Sequence, residues 1–331
     1  MGCIKLGILG TADVIGRSLI EPSKKVERLN IYAIASRSDE KAKSIAEKYS
    51  IPNYFSGYDT LLNNKEIDAV YIPLINSLHA DWTIKAIKAG KHVLIEKPLC
   101  LNSEDLKRIK ECLDDHPEVV VLEGLMSQHH PFSDKLLEII KNKKYGALKS
   151  LKTKASYNIN EPNDFRLFPE KGGSVFFEEG LLWCHLTQIC LGLEPLGFDT
   201  QCDFNGPNGG DHIFQTKLIF QDGVTSELFC SYAHPYQADH FINFEKAEIK
   251  IKNFWRPTFG FQKLKMEINN LNSVENEDYV FESQNYFFNQ LNFFIDVIEK
   301  KKKNIPIHES FERIELMEKI YNKAKIHTTS C

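Results

Sequence analysis

The chain has 331 residues, 42% hydrophobic and 26% charged, with a formal net charge of -4 at pH 7; this length points to two domains rather than one core. The charge balance excludes the broad basic footprint of a nucleic-acid-binding protein, and no apolar run reaches the roughly 20 residues that span a bilayer. Eight cysteines (Cys3, Cys100, Cys112, Cys184, Cys190, Cys202, Cys230 and Cys331) form no CxxC pair and no zinc-like spacing, so reduced thiols in a cytoplasmic protein, and no metal site, are expected.

The N-terminus shows no signal-peptide cleavage pattern, and Leu6 stands where an acylation motif needs Ser or Thr. Ile4 to Gly10 reads as a short apolar strand ending in glycine. Gly10, Thr11, Ala12, Val14 and Ile15 then turn into the first helix, where a pyrophosphate would meet backbone N–H groups and the positive helix end. The glycine fingerprint is incomplete, with Ala12 and Ile15 at its second and third positions. Its place after the first strand of an N-terminal βαβ unit is what gives it weight.

The second strand, "LNIYAIASRS", ends in Ser36 and Arg37. An acid at this tip would hold the ribose 2′-hydroxyl of NAD. Arg37 suits a 2′-phosphate instead, which favours NADP(H) over NAD(H); the plainer reading is an ordinary exposed arginine. A helix follows over residues 39–50, then a third strand, "IDAVYIPL", with Pro73, Asn76 and His79 at its tip. Taken alone, His79 is more often a helix-start residue than a base. The helix after it closes at Gly90. The fourth strand, "KHVLIEKP", ends in Glu96, Lys97 and Pro98. A Lys and a Glu ending a buried strand have no packing role that an apolar residue would not fill better, and ligands bind at that edge of an open parallel sheet. A helix capped by Asn102 or Ser103 leads to a fifth strand, "EVVVLEG". Strands alternating with helices predict a doubly wound parallel sheet over residues 1–123.

From about residue 147 the pattern becomes strand-rich: "LKSLKTKASYNI", "TKLIFQDGVTSELFCSYA" and "AEIKIKNFW". Gln221-Asp222-Gly223 makes a hairpin turn. Residues 124–331 read as an α+β domain with a large, mainly antiparallel open sheet, one helix around residues 178–191 and a C-terminal helix pair.

Five stretches carry a resemblance: "GILGTADVI", "NSLHADWTIKAIKAGKHVLIEKP", "LEGLMSQHHP", "NDFRLFPEKGGSVFF" and "NQLNFFIDVIEKKKKNIPIHESFERIELMEKIY". The chain resembles the Gfo/Idh/MocA oxidoreductase family over nearly its whole length, most specifically around Glu96-Lys97-Pro98. It looks closest to the dihydrodiol dehydrogenase and NDP-keto-sugar reductase branch. The resemblance implies a Rossmann domain and a second domain whose open sheet forms a homodimer or homotetramer. It also implies hydride transfer between a nicotinamide and a small, sugar-like carbinol or ketone. Residue by residue, it implies Lys97 as the principal acid/base, stabilising alkoxide charge and supplying a proton. Glu96 would face the nicotinamide side and Pro98 would shape the turn. His130 would begin the second domain near the cleft. Asn163, Asp164 and Arg166 would line the substrate loop, where Arg166 holds a carboxylate or phosphate or, equally, pairs with Asp164.

One element departs from the family pattern of Gly-Gly, then Asp, then His or Tyr four residues later. Counting from Gly172-Gly173, Glu178 falls on the Asp position and Leu182 on the His or Tyr position. Leucine carries no proton. His185 shares a helix face with Glu178 and Leu182 and has a pKa suited to proton transfer. It lies about 5 Å, one turn, further along, so a relaying water or a shifted substrate is needed. The alternative is a His185 that orients a substrate hydroxyl or is a satisfied interior histidine. Two further functions follow from the departure: a same-fold enzyme that uses its bound cofactor without net redox change, or a non-catalytic nucleotide-binding protein. The intact Glu96-Lys97-Pro98 argues against the last.

Overall fold

The computed structural model describes residues 2–272 and 277–329; Cys331 lies outside the described residues. The chain divides into two compact units, residues 1–129 with 286–311, and residues 130–285 with 312–331.

The first unit holds β1 (Ile4–Leu9), β2 (Leu29–Ser36), β3 (Asn53–Ser56), β4 (Ala69–Ile72), β5 (His92–Glu96) and β6 (Val121–Gly124). They form one parallel sheet in the order β3-β2-β1-β4-β5-β6. The chain direction across the sheet reverses between β1 and β4, which opens a crevice at the C-terminal ends of these strands. Five strands are legible in the sequence; the sixth, β3, is an edge strand of four residues with no apolar run, alternately half-buried and exposed. The first helix is short: a π-type turn, Gly16–Ile20, runs into one α-turn, Glu21–Ser23.

A single cut after residue 123 misses a return of the chain. The helix Tyr286–Ile298 places Leu291, Phe294 and Ile295 in the same core as Leu6, Ile8, Ile15 and Leu19. Its apolar stripe needs a partner, and the first unit supplies one. Arg28 pairs with Asp296 at 2.9 Å and with Glu299 beside it.

The second unit holds β7 (Leu148–Ser156), β8 (Gly197–Gln201), β9 (Ile213–Ile219), β10 (Thr225–Ser231), β11 (Gln237–Phe244), β12 (Ala247–Ile251), β13 (Lys265–Asn270) and β14 (Glu277–Val280). Their order is β14-β13-β12-β11-β7-β10-β9-β8. Only β7 and β10 pair in parallel. The turn at Gln221-Asp222-Gly223 joins β9 to β10 with Asp222 at φ 57° and Gly223 at φ 73°. The helix Val175–Leu191 packs on this sheet. It is buried on every side from Val175 to Thr187. Trp183 Nε1 donates to Ser226 Oγ at 2.8 Å, fixing the helix on β10. On β9, Phe214, Thr216 and Leu218 are buried while Ile213, Gln215, Lys217 and Ile219 are exposed, so one face of the sheet is covered and the other open among the described residues.

Among the described residues no helix is long and apolar enough to cross a membrane, and no group of three or more His, Cys, Asp or Glu side chains is arranged to hold a metal ion.

Candidate active site

In the first unit the sequence-selected residues gather at the C-terminal ends of β1, β2, β4 and β5. Gly10 follows β1 at φ +119°, where other residues are strained. A Cβ there would stand 2.9 Å from Leu74 Cδ2. Thr11, Ala12 and Val14 are half-buried around it. Ile15 follows them at the start of the helix. Its side chain is 1% exposed, inside the core, and its N–H donates to Ala12 O at 3.1 Å. Ser36 is 5% exposed and accepts from Ser38 N at 3.3 Å, while Arg37 stands exposed beside Tyr58.

The turn after β5 is gripped from several sides. The Lys97–Pro98 peptide is cis, and Lys97 is 9% exposed. Tyr71 donates to Glu96 and shares a hydrogen bond with Ser18 at 2.7 Å. Pro73 and Asn76 are buried. His79 is fully buried, with Nδ1 2.6 Å from Pro98 O and Nε2 2.9 Å from Leu74 O. The ring therefore stands between the carbonyls of two loops at the strand edge, donating to one of them in each neutral tautomer. Glu123, inside an apolar strand that gives it no local signal, is 3% exposed and accepts from Leu99 N at 2.9 Å.

These residues fit a dinucleotide. A glycine with positive φ at the first strand-to-helix turn leaves backbone N–H groups free of a Cβ. Arg37 offers a cation at the β2 tip, where NAD-preferring sites carry an acid.

In the second unit the turn Gly172-Gly173 precedes the helix Val175–Leu191. A Cβ on Gly173 would lie 2.4 Å from Phe165 O and 2.6 Å from the Arg166 backbone, so glycine is what lets the loop carrying Asp164 and Arg166 lie against the helix start. Ser174 caps the helix, accepting from Phe177 N at 3.1 Å. The Asp211 carboxylate accepts from Ser174 Oγ at 2.8 Å, Phe176 N at 2.9 Å and Tyr321 OH at 3.2 Å. Burial pushes Asp211 up to about 6, against the pull of these bonds.

Glu178 is 4% exposed, with Oε2 3.7 Å from Arg166 Nε. Arg166 also reaches both Asp164 oxygens at 3.2 Å, so the ion pair with Asp164 is present and the contact with Glu178 coexists with it. Burial works against the Arg166 charge, but Glu178, Tyr157, Tyr232 and Asp164 outweigh it and hold the guanidinium charged. The rings of Tyr157 and Tyr232 lie 5.2 Å apart. Burial raises both phenols well above their ordinary range, so both are neutral hydroxyls. Neither tyrosine is legible as a site residue, because each follows a strand end and only the folded chain brings it to Arg166.

The structure thus brings Asp164, Arg166 and Glu178 together. Asn163 stays exposed in the same loop. Leu182 and His185 continue the buried helix wall at 4% and 5% exposure. Seven residues of helix put His185 about 10 Å from Glu178 along the axis. His130 is 3% exposed, and its Nδ1 accepts from Phe132 N at 3.1 Å. Burial lowers it to about 4, so it stands neutral at the start of the helix Phe132–Lys141, its ring 5.2 Å from that of Phe281.

Residues 4–124 match the model of an oxidoreductase family, GFO_IDH_MocA, with an NAD-binding Rossmann fold. The chain is similar to D-xylose 1-dehydrogenase (NADP(+)) 2 of Haloferax volcanii, 30% identical over 69% of this chain and 70% of that protein. It is also similar to the dTDP-3,4-didehydro-2,6-dideoxy-alpha-D-glucose 3-reductase of Actinomadura kijaniata, 27% identical over 78% and 77%. A 3-ketoreductase from Actinomadura kijaniata, solved with NADP and TDP-benzene, shares the fold with a TM-score of 0.88 at 22% identity, over 97% of this chain and 98% of that one.

Proposed function

The chain belongs to the Gfo/Idh/MocA oxidoreductase family, and on that premise we propose that it is an NADP(H)-dependent enzyme that interconverts a sugar-like carbinol and ketone, nucleotide-linked keto-sugars included. The observation that carries this reading is Lys97: an ammonium at the ligand-binding edge of a parallel sheet, 9% exposed, on a turn held by buried polar groups. The relatives named above support the substrate class, and Arg37 at the β2 tip supports NADP(H).

A nicotinamide dinucleotide held at Gly10, Arg37 and the β5 turn would supply or receive the hydride. This chain holds the substrate and moves its proton. In reduction the Lys97 ammonium donates a hydrogen bond to the carbonyl oxygen, offsets the negative charge that grows there and passes a proton to it. In oxidation the neutral amine takes that proton back. Arg166, kept charged by Glu178 and its neighbours, gives the second unit a guanidinium suited to a carboxylate or phosphate.

The test is NADPH oxidation by purified protein across keto-sugars and nucleotide-linked keto-sugars. Lys97→Ala is expected to lower kcat/KM by roughly 10²- to 10⁴-fold. Turnover undiminished by Lys97→Ala, or no turnover on any keto-sugar, overturns the reading. One feature favours a second reading, a reaction without net redox change: counted from Gly172-Gly173, the buried Leu182 falls where the family pattern implies a His or Tyr. Dinucleotide that stays bound through purification, with product formed and no NADPH consumed, would select it.

A further inference from the structure

We propose that Glu123 is a positioning residue for Lys97, acting through the peptide group that joins Pro98 to Leu99. The proposal rests on the reading of Lys97 given above. Glu123 sits in β6, whose neighbouring residues Val121, Leu122 and Gly124 are all buried. β6 pairs with β5 so that Glu123 lies beside Ile95, two residues before Lys97. A carboxylate is costly to bury in such a place unless its charge is used, and this one is 3% exposed.

Its two oxygens are directed differently. Oε1 accepts from the Leu99 N–H at 2.9 Å, and Oε2 accepts from Ser310 Oγ at 2.7 Å. Ser310 belongs to the returning segment 286–311 of the same unit. The Leu99 N–H and the Pro98 carbonyl are the two ends of one peptide group. The carbonyl end lies 2.6 Å from His79 Nδ1. The peptide that follows Lys97–Pro98 therefore has a helix-start histidine against its oxygen and is held at its nitrogen by a buried carboxylate. Hydrogen bonds to an ionised acceptor are roughly twice as strong as neutral ones.

The consequence is preorganisation. A proton donor must meet the substrate oxygen within a narrow distance, and a misplacement of about 1 Å costs about a hundredfold in rate. Lys97 has a long, flexible stem, so its ammonium is no better placed than its backbone. Glu123 fixes that backbone without touching substrate or cofactor.

Glu123→Ala and Glu123→Gln in the full chain test this. Glutamine keeps an acceptor for Leu99; alanine does not. For Glu123→Ala we expect kcat to fall about tenfold or more, with dinucleotide affinity within about twofold of wild type. For Glu123→Gln we expect recovery to within about threefold. Amide hydrogen exchange at Leu99, read without turnover, should lose protection in the alanine variant and keep it in the glutamine variant. An unchanged kcat alongside lost Leu99 protection overturns the proposal, and so does a glutamine variant as slow as alanine. If Glu123→Ala does not fold, Ser310→Ala decides: it frees one side of the carboxylate, and kcat should fall about threefold with little change in Tm, an unchanged kcat being the contrary result. Failure here is separable from failure of the function. If Lys97→Ala keeps the full wild-type turnover, both fall; if Lys97→Ala is slowed as expected and Glu123→Ala is unimpaired, only this inference falls.

Discussion

In the first unit the residues assigned to chemistry stand at the ends of short parallel strands; in the second they stand on the wall of one buried helix and on the loop pressed against it. Strand ends are positioned by backbone pairing: Gly10, Ser36, Pro73 and Lys97 fall on one edge because β1, β2, β4 and β5 run parallel in one sheet. The second unit positions Arg166 and Glu178 by close packing of side chain on backbone. The first arrangement should absorb small changes of volume near its site, and the second should not.

Gly173→Ala tests that difference most severely. The new Cβ would meet backbone atoms of Phe165 and Arg166 at 2.4 and 2.6 Å. Backbone cannot rotate aside as a side chain does, so the loop must move away from the helix start. Overpacking of this kind costs about 3 kcal/mol. Thermal unfolding should show that loss, and turnover should fall with Arg166 displaced from Glu178. Dinucleotide affinity should hold within about threefold, because the first unit is built separately. Equal loss of dinucleotide binding would break the comparison. Gly10 marks the contrast: a Cβ there meets the movable end of Leu74 at 2.9 Å, and the constraint is its φ of +119° instead.

Asp211 sharpens the comparison through pH. Its carboxylate holds the start of the helix Val175–Leu191 and is pushed up to about 6 in the fold because burial disfavours its charge, against 3.8 when unfolded. The folded state thus binds the proton more tightly. Its stabilising contribution is complete below pH 3.8 and is lost as pH rises through about 6. Two pKa units amount to on the order of 2–3 kcal/mol. Asp211→Asn removes the titration while keeping an acceptor for Phe176 N. Denaturant unfolding of both proteins between pH 4 and 7 should show wild type losing ground to the variant by about that amount as pH rises. A difference that stays flat across this range refutes the assignment.

The same contrast explains what the sequence made legible. The parallel sheet, its strand tips and the turn at Gln221-Asp222-Gly223 follow from local periodicity and turn chemistry, and they appear where expected. Gly172-Gly173 was legible as a register mark, but its reason, contact with the Phe165 carbonyl, is a tertiary fact. Edge strand β3 has no apolar signal to read. The helix Tyr286–Ile298 gave the right element and the wrong partner, since an amphipathic stripe says that it packs and not on what. Asp211, Tyr157 and Tyr232 reach the site from elements far away in the chain, and Glu123 hides in an apolar strand. Such residues are found by hydrogen-bond accounting in three dimensions, because a buried charge must have partners.

The smallest expected effect belongs to the first unit's surface. Arg37 is exposed at the tip of β2, and the phenol of Tyr58 is pushed up by its own burial against the opposing pull of the Arg37 charge, which puts the two side by side. An exposed guanidinium contacting a phosphate is worth little more than one charge-assisted hydrogen bond, about 1.5–3 kcal/mol before solvent screening. Arg37→Ala should therefore weaken NADPH binding by about tenfold and leave NADH binding unchanged, as read by titrating the fluorescence of each reduced dinucleotide. Raised ionic strength should shrink the wild-type preference and not the variant's, because the interaction is exposed and screened. Equal weakening of both dinucleotides would mean that Arg37 shapes the β2 tip instead of reading the 2′-phosphate, and the NADP(H) preference would then need another cation at that edge.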